Sequence, residues 1–408
     1  MKKSLLKKYA ELIVRSGVAL KKGQSVMIVS DVKIEPFTAL VVEECYKAGA
    51  KHVLLEWSSE ACSRIAYKKG NKEALAETLP YLLEKQKWIN QELPAMIYLE
   101  SEDPDGMAGL DQKKLSYIRN KRRAAIYPFR VIRENHYQWC IAGVPSAAWA
   151  KKIFPDLPKN KAVEKLWEAI LTTSRAMDGN GIANWQEHDK NLKARCDYLN
   201  GLRLKKLHYA SSNGTDLTVG LIPGVIFLGG GESTLEGVYY QPNIPSEEVF
   251  TSPMRGEAEG IVYSAKPLSY GGTLIDNFYV RFHEGKAVEV HAEKGQEALE
   301  SILHIDEGSA YLGECALVPY DSPINNTGLL FYNTLYDENA ACHLALGMGF
   351  TNLYPNFEKY SEEELHSFGI NESMSHVDFM IGSKDLNIIG TTEDGKEIPI
   401  FRDGNWAF

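Results

Sequence analysis

Apolar positions Leu5, Leu6, Tyr9, Leu12 and Ile13 recur at helical spacing, which predicts an opening helix with one face against a core. Residues 26–29 form a short apolar run bounded by polar positions, the pattern of a buried strand. Helical periodicity over residues 35–47 and a second strand within 52–57 complete a βαβ unit. Residues 72–91 are helical in pattern apart from Pro80, residues 95–99 predict another strand, 100–106 an acidic loop, and 161–191 mostly helix. After Asn200 the pattern changes. Strand-like segments at 217–219, 224–228, 273–282, 287–292, 378–381 and 386–389 alternate with glycine turns, and Asp394-Gly395 marks a hairpin. The expected fold class is therefore mixed α/β and α+β, with an N-terminal α/β domain over 1–190 and a sheet-rich C-terminal domain over 191–408.

A chain of 408 residues exceeds the size at which one core stops growing, which favours two domains. The net charge of −9 argues against a nucleic-acid partner, because phosphate neutralisation needs a concentrated basic surface. Short runs such as Lys121-Arg122-Arg123 read as solvated helix faces or loops. The six cysteines include no CxxC pair and read as reduced thiols, the first 16 residues lack the apolar stretch of a signal peptide, and no window approaches a membrane span. A cytoplasmic protein is expected. The turn Ser30-Asp31-Val32-Lys33 has no glycine to admit a pyrophosphate, and Gly229-Gly230-Gly231 lacks the Lys-Ser or Lys-Thr of a phosphate loop.

Candidate chemistry is confined to the C-terminal half: Glu248, Glu314, Glu338, His343, His376 and Asp378 are the residue types that hold two divalent cations side by side. In an extended segment only one of Glu247 and Glu248 can easily face a given ion, leaving the other as a base or a solvated carboxylate. Glu314 interrupts an otherwise apolar strand, so it is exposed at an edge, paired or metal-bound. Residues 336–347 read as a helix with Asp337 as its N-cap, placing Glu338 and His343 about 140° apart around the axis. His343 alone would also suit a core position. His376 and Asp378 are two apart on a strand and face the same side, as ligands or as a hydrogen-bonded pair.

The segments NIPSEEVFT (243–251), Gly313-Glu314, DENAACHLALG (337–347) and HVDFMIG (376–382) resemble, in order and spacing, the thermophilic-type metalloaminopeptidases of family M29. The resemblance runs the length of the chain, with its specific motifs all C-terminal. It implies that Glu248, Glu314, Glu338, His343, His376 and Asp378 ligate two ions, with Glu314 the bridge. It also implies a homodimer with an enclosed chamber that removes N-terminal residues from short peptides. One departure stands out: the family pattern has a tyrosine seven residues after the histidine of the third motif, and here that place is Phe350.

The oxygen-rich donor set with two imidazoles suits Zn, Co or Mn, and Glu247, beside a ligand, is the expected general base. Two other readings remain: a dinuclear hydrolase of another bond, and a non-catalytic metal- or peptide-binding relative, which Phe350 makes conceivable.

Overall fold

In the computed structural model, which describes residues 1–408, the first apolar run becomes strand β1 (Val26–Asp31). Helix Glu35–Lys47 connects it to the parallel strand β2 (Val53–Ser58). Strands β3 (Ala95–Glu100) and β4 (Trp139–Gly143) extend the parallel sheet on the other side of β1. The two-residue strand Asn243–Ile244 closes it beside β4. Pro80 breaks the 72–91 pattern for a local reason. It opens helix Pro80–Glu92, where its missing N–H has no partner to lose, after the short helix Lys72–Ala76.

The chain divides into a first unit of residues 1–186 and 231–245 and a second of 187–230 and 246–408. The expected boundary at 190 lies inside one continuous helix, Gly181–Leu202.

The second unit contains two antiparallel sheets. The larger has nine strands, among them Asp216–Leu221, Pro253–Tyr263, Thr273–His283, Lys286–Lys294 and Asn387–Thr392. The expected hairpin turn at Asp394-Gly395 joins Asn387–Thr392 to Glu397–Arg402, with Gly395 at φ 84°. The strand expected at 224–228 does not form as such: Gly224 takes φ 81°, and pairing is limited to Leu228–Gly229.

The smaller sheet carries five strands: β5 (Val249–Thr251), β6 (Leu312–Leu317), β7 (His343–Gly347), β8 (His376–Met380) and the short Leu228–Gly229. Their order is β8, β7, β6, β5, Leu228–Gly229. Here the helix expected over 336–347 is corrected. Helix stops at Thr334–Glu338, Asn333 rather than Asp337 is the N-cap residue, and His343 lies on a strand. Asp337 instead accepts the backbone N–H groups of Phe331 and Asn333 at 2.8 and 3.1 Å. The reason is tertiary. Leu344 pairs with Cys315 on one side and Phe379 on the other, and a strand hydrogen-bonded along both edges overrides a weak local helical preference.

Candidate metal centre

Strand pairing sorts the small sheet into two chemically different faces. Residues directly opposite across a ladder share a face, and the face alternates along each strand. Register pairs Cys315 with Leu344 and Leu344 with Phe379, and these, with Leu317, Leu346 and Val377, join the main apolar core of the second unit. On the other face, Ala345 pairs with both Glu314 and Asp378, Ala316 with His343, and Gly347 with His376. Phe250 pairs with Ala316, so the same alternation brings Glu248 to this polar face and turns Glu247 away. All of β6 and β7 is buried, which is why they read as unbroken apolar runs with isolated charges.

Glu248, Glu314 and His343 form one group whose ligand atoms lie within 4.8 Å of one another; Glu314, His376 and Asp378 form a second. Glu314 is common to both. Nε2 of His343 lies 3.3 Å from Glu248, and Nε2 of His376 lies 3.0 Å from Glu314 and 3.1 Å from Asp378. Each imidazole has its other nitrogen on a backbone carbonyl: Nδ1 of His376 is 2.8 Å from the oxygen of Met348, and Nδ1 of His343 is 3.3 Å from that of Ala341. A carbonyl can only accept, so Nδ1 carries a hydrogen, and once Nε2 gives up its own proton its lone pair faces the cluster, as metal-ligating histidines require. Glu338, half-buried at the end of its helix, interacts electrostatically with Asp378, Glu248 and Glu314.

Four carboxylates and two imidazoles this close perturb one another strongly. Burial and then repulsion from Asp378, Glu248 and Glu314 hold the Glu338 carboxyl well above its usual range. Burial also raises Glu314, against the opposing pull of His376. Burial alone would lower His343, but its hydrogen bond to Glu248 and the charges of Glu314 and Asp378 outweigh that and bring it to about 9. His376 is raised well above an ordinary imidazole because Asp378 and Glu314 overcome its desolvation. Asp378 goes the other way, to about 2: His376 and His343 stabilise its ionised form against burial. Such a cluster holds protons at neutral pH and would exchange them for dications. The fit to metal has a geometric sign as well: Asp378 Oδ1 is buried and, although close to His376, makes no aligned hydrogen bond. A buried carboxylate oxygen that makes no aligned hydrogen bond is costly unless a cation takes its place.

The structure thus brings together Glu248, Glu314, Glu338, His343, His376 and Asp378. It places Glu247 elsewhere, its carboxylate 3.7 Å from Nε2 of His188 on helix Gly181–Leu202. Phe350 stands next to the cluster, its ring centroid 5.1 Å from that of His376 and 5.3 Å from that of Phe250. Sequence reading missed Ala345, whose small side chain separates Glu314 from Asp378. It also missed Gly347, where φ is 110° and an added Cβ would come within 2.1 Å of the Ser375 carbonyl oxygen. Alternation along β7 gives a signal for Ala345 once His343 is placed on a strand.

The model of the family described as thermophilic metalloprotease (M29) matches residues 2–406. The chain is 41% identical over 404 residues to aminopeptidase AmpS of Bacillus subtilis (strain 168), covering 99% of this chain and 98% of that one. Aminopeptidase 2 of Geobacillus stearothermophilus is also 41% identical over 404 residues, with the same coverage. Among solved structures, wild-type AmpT from Thermus thermophilus superimposes with a TM-score of 0.91 at 38% identity, covering 100% of both chains.

Proposed function

The chain belongs to the thermophilic metalloprotease (M29) family, and from that premise we propose that it removes N-terminal residues from short peptides at a centre for two divalent ions. As a member of that family it is a metallo-aminopeptidase, a hydrolase. Glu248 and His343 would hold one ion and His376 and Asp378 the other, with Glu314 shared between the two groups and Glu338 completing the set. The observation that carries this assignment is the sharing of Glu314 between two adjacent donor triads. These residues would hold two divalent ions, and the chemistry such ions would supply is polarisation of a scissile carbonyl and a bound water brought toward neutral acidity.

The remaining work falls to the protein. His343 and His376 are held in the ligating tautomer by the carbonyls of Ala341 and Met348. The free α-amine of a peptide would bind one of the ions, which favours exopeptidase cleavage. Oxygen-rich coordination suits Zn, Co or Mn. The six cysteines are all free, which supports a reducing, cytoplasmic setting. The family resemblance carries the homodimer.

A second reading rests on Phe350. With a phenyl ring rather than a phenol beside His376, the site lacks one hydrogen-bond donor at the cluster, which favours a metal- or peptide-binding protein with little turnover or activity on another bond. Metal content decides the first step. Protein reconstituted with Zn and desalted is expected to retain two ions per chain by mass spectrometry, and Glu248→Gln or Asp378→Asn to retain one. One ion or none in the wild type contradicts the dinuclear centre.

A further inference from the structure

We propose that Asn339 and His188 are positioning residues that clamp one peptide group, Ser246–Glu247, and thereby set the place of Glu248 and the binding mode of Glu338. The proposal rests on the dinuclear reading above. Asn339 is fully buried, immediately after helix Thr334–Glu338. Its Oδ1 accepts the backbone N–H of Glu247 at 2.7 Å, while Nδ2 donates to the carbonyl of Leu335 at 3.0 Å and to Oε1 of Glu338 at 3.3 Å. The carboxamide can face only one way, because the Glu247 N–H requires an acceptor and the Leu335 carbonyl and Glu338 carboxylate require donors.

The other polar atom of the same peptide group is held as well. Nε2 of His188 donates to the carbonyl of Ser246 at 2.8 Å. Both the C=O and the N–H of the Ser246–Glu247 peptide are therefore fixed by side chains, from residues far apart in sequence. A planar peptide held at both ends fixes the direction in which the next side chain leaves, and that next side chain is Glu248. This also gives Glu247 a structural place: its carboxylate turns toward His188, away from the polar face of the sheet.

Asn339 acts on Glu338 too. With Oε1 engaged by Nδ2, the carboxylate offers its second oxygen to an ion, which favours binding through one oxygen over bidentate binding. One residue thus links two ligand-bearing segments some 90 positions apart, a coupling that no isosteric substitution reproduces. Leucine has neither donor nor acceptor, and aspartate lacks the donors and adds a charge beside Glu338.

The test titrates metal-free protein with Co(II), reading bound ions by calorimetry and coordination by the visible absorption of the bound Co(II). Wild type is expected to bind two ions. Asn339→Ala and Asn339→Asp are expected to weaken one of them about 10–100-fold, the scale for outer partners of metal ligands, and to change the Co(II) spectrum. His188→Ala should do the same, and His188→Gln, whose amide can still donate to Ser246, should restore most of the affinity. His188→Ala reads the same peptide from the opposite side if Asn339→Ala does not fold. Variants that lose thermal stability yet bind both ions within threefold of wild type, with an unchanged spectrum, overturn the proposal, since they mark residues that support only the fold. Wild-type protein that binds fewer than two ions overturns the dinuclear reading, and this proposal with it. Two ions in wild type with unaltered variants overturns this proposal alone.

Discussion

Replacing Glu314 by glutamine should separate the cost of the carboxylate cluster from its use. Glu314 is 4% exposed and belongs to both donor triads. In metal-free protein its burial already favours the neutral acid, and its charge adds to the repulsion that raises Glu338. Glutamine keeps the shape and removes that charge, and His376 retains Asp378 at 3.1 Å as its partner. The chelated variant should therefore melt no lower than chelated wild type. With metal the order reverses. An ion present at a hundredfold its dissociation constant adds about 2.7 kcal/mol to stability, so two such ions add about 5 kcal/mol. In a unit of about 200 residues each kcal/mol moves Tm by roughly 2–4 °C, so returning Zn to chelated wild type should raise its transition by roughly 10–20 °C. Glu314→Gln, lacking the shared anion, should show less than half of that rise. Differential scanning calorimetry with EDTA and with excess Zn reads both quantities. A variant with the full wild-type rise refutes the bridging role, and one that melts far below wild type in EDTA shows that Glu314 supports the fold itself.

Introducing the missing phenol with Phe350→Tyr should raise kcat by about 10²-fold or more with little change in KM, since one donor to a tetrahedral oxyanion is worth about 10²–10³ in turnover. Unchanged kcat would mean that this chain stabilises the oxyanion by another group. Stability should depend on pH in opposite senses with and without metal. Glu314, Glu338, His343 and His376 all have folded-state pKa values above their ordinary ones, His343 at about 9, so the metal-free fold binds extra protons and should lose stability as pH rises from about 5 to 9. Ions must displace those protons, so metal affinity should rise over the same range, with proton release visible in calorimetry across buffers of different ionisation enthalpy. A chelated protein that gains stability toward pH 9 contradicts the protonated cluster. Gly347→Ala forces a Cβ against the Ser375 carbonyl beside His376, and should lower stability by about 1–3 kcal/mol in urea unfolding and weaken metal binding together. Wild-type stability in this variant would show that the strand ends shift freely.

Much of the cluster was legible because its chemistry follows strand periodicity. His376 and Asp378 share a face by the two-residue repeat, and Glu314 stood out as one charge in an apolar run. The same periodicity said that only one of Glu247 and Glu248 could point at a common site; the pairing of Phe250 with Ala316 identifies Glu248. The segment 336–347 was misread because β7 is buried on both faces, so that its alternation of Leu344 and Leu346 with His343 and Ala345 does not separate polar from apolar. Short apolar runs of this kind carry no period that tells strand from helix. The return of residues 231–245 to the first unit left no compositional mark, since it depends on the two residues Asn243 and Ile244 pairing with β4. The parts of Asn339 and His188 were equally invisible: each acts through a single backbone group that only the folded chain brings near.

Release of p-nitroaniline from a panel of aminoacyl p-nitroanilides tests the central claim most directly, with protein as purified, after EDTA, and after return of Co or Zn. The expected result is turnover that disappears on chelation and returns with metal, at a rate set by the N-terminal side chain. No turnover on any substrate, from protein that holds two ions per chain, would contradict the aminopeptidase.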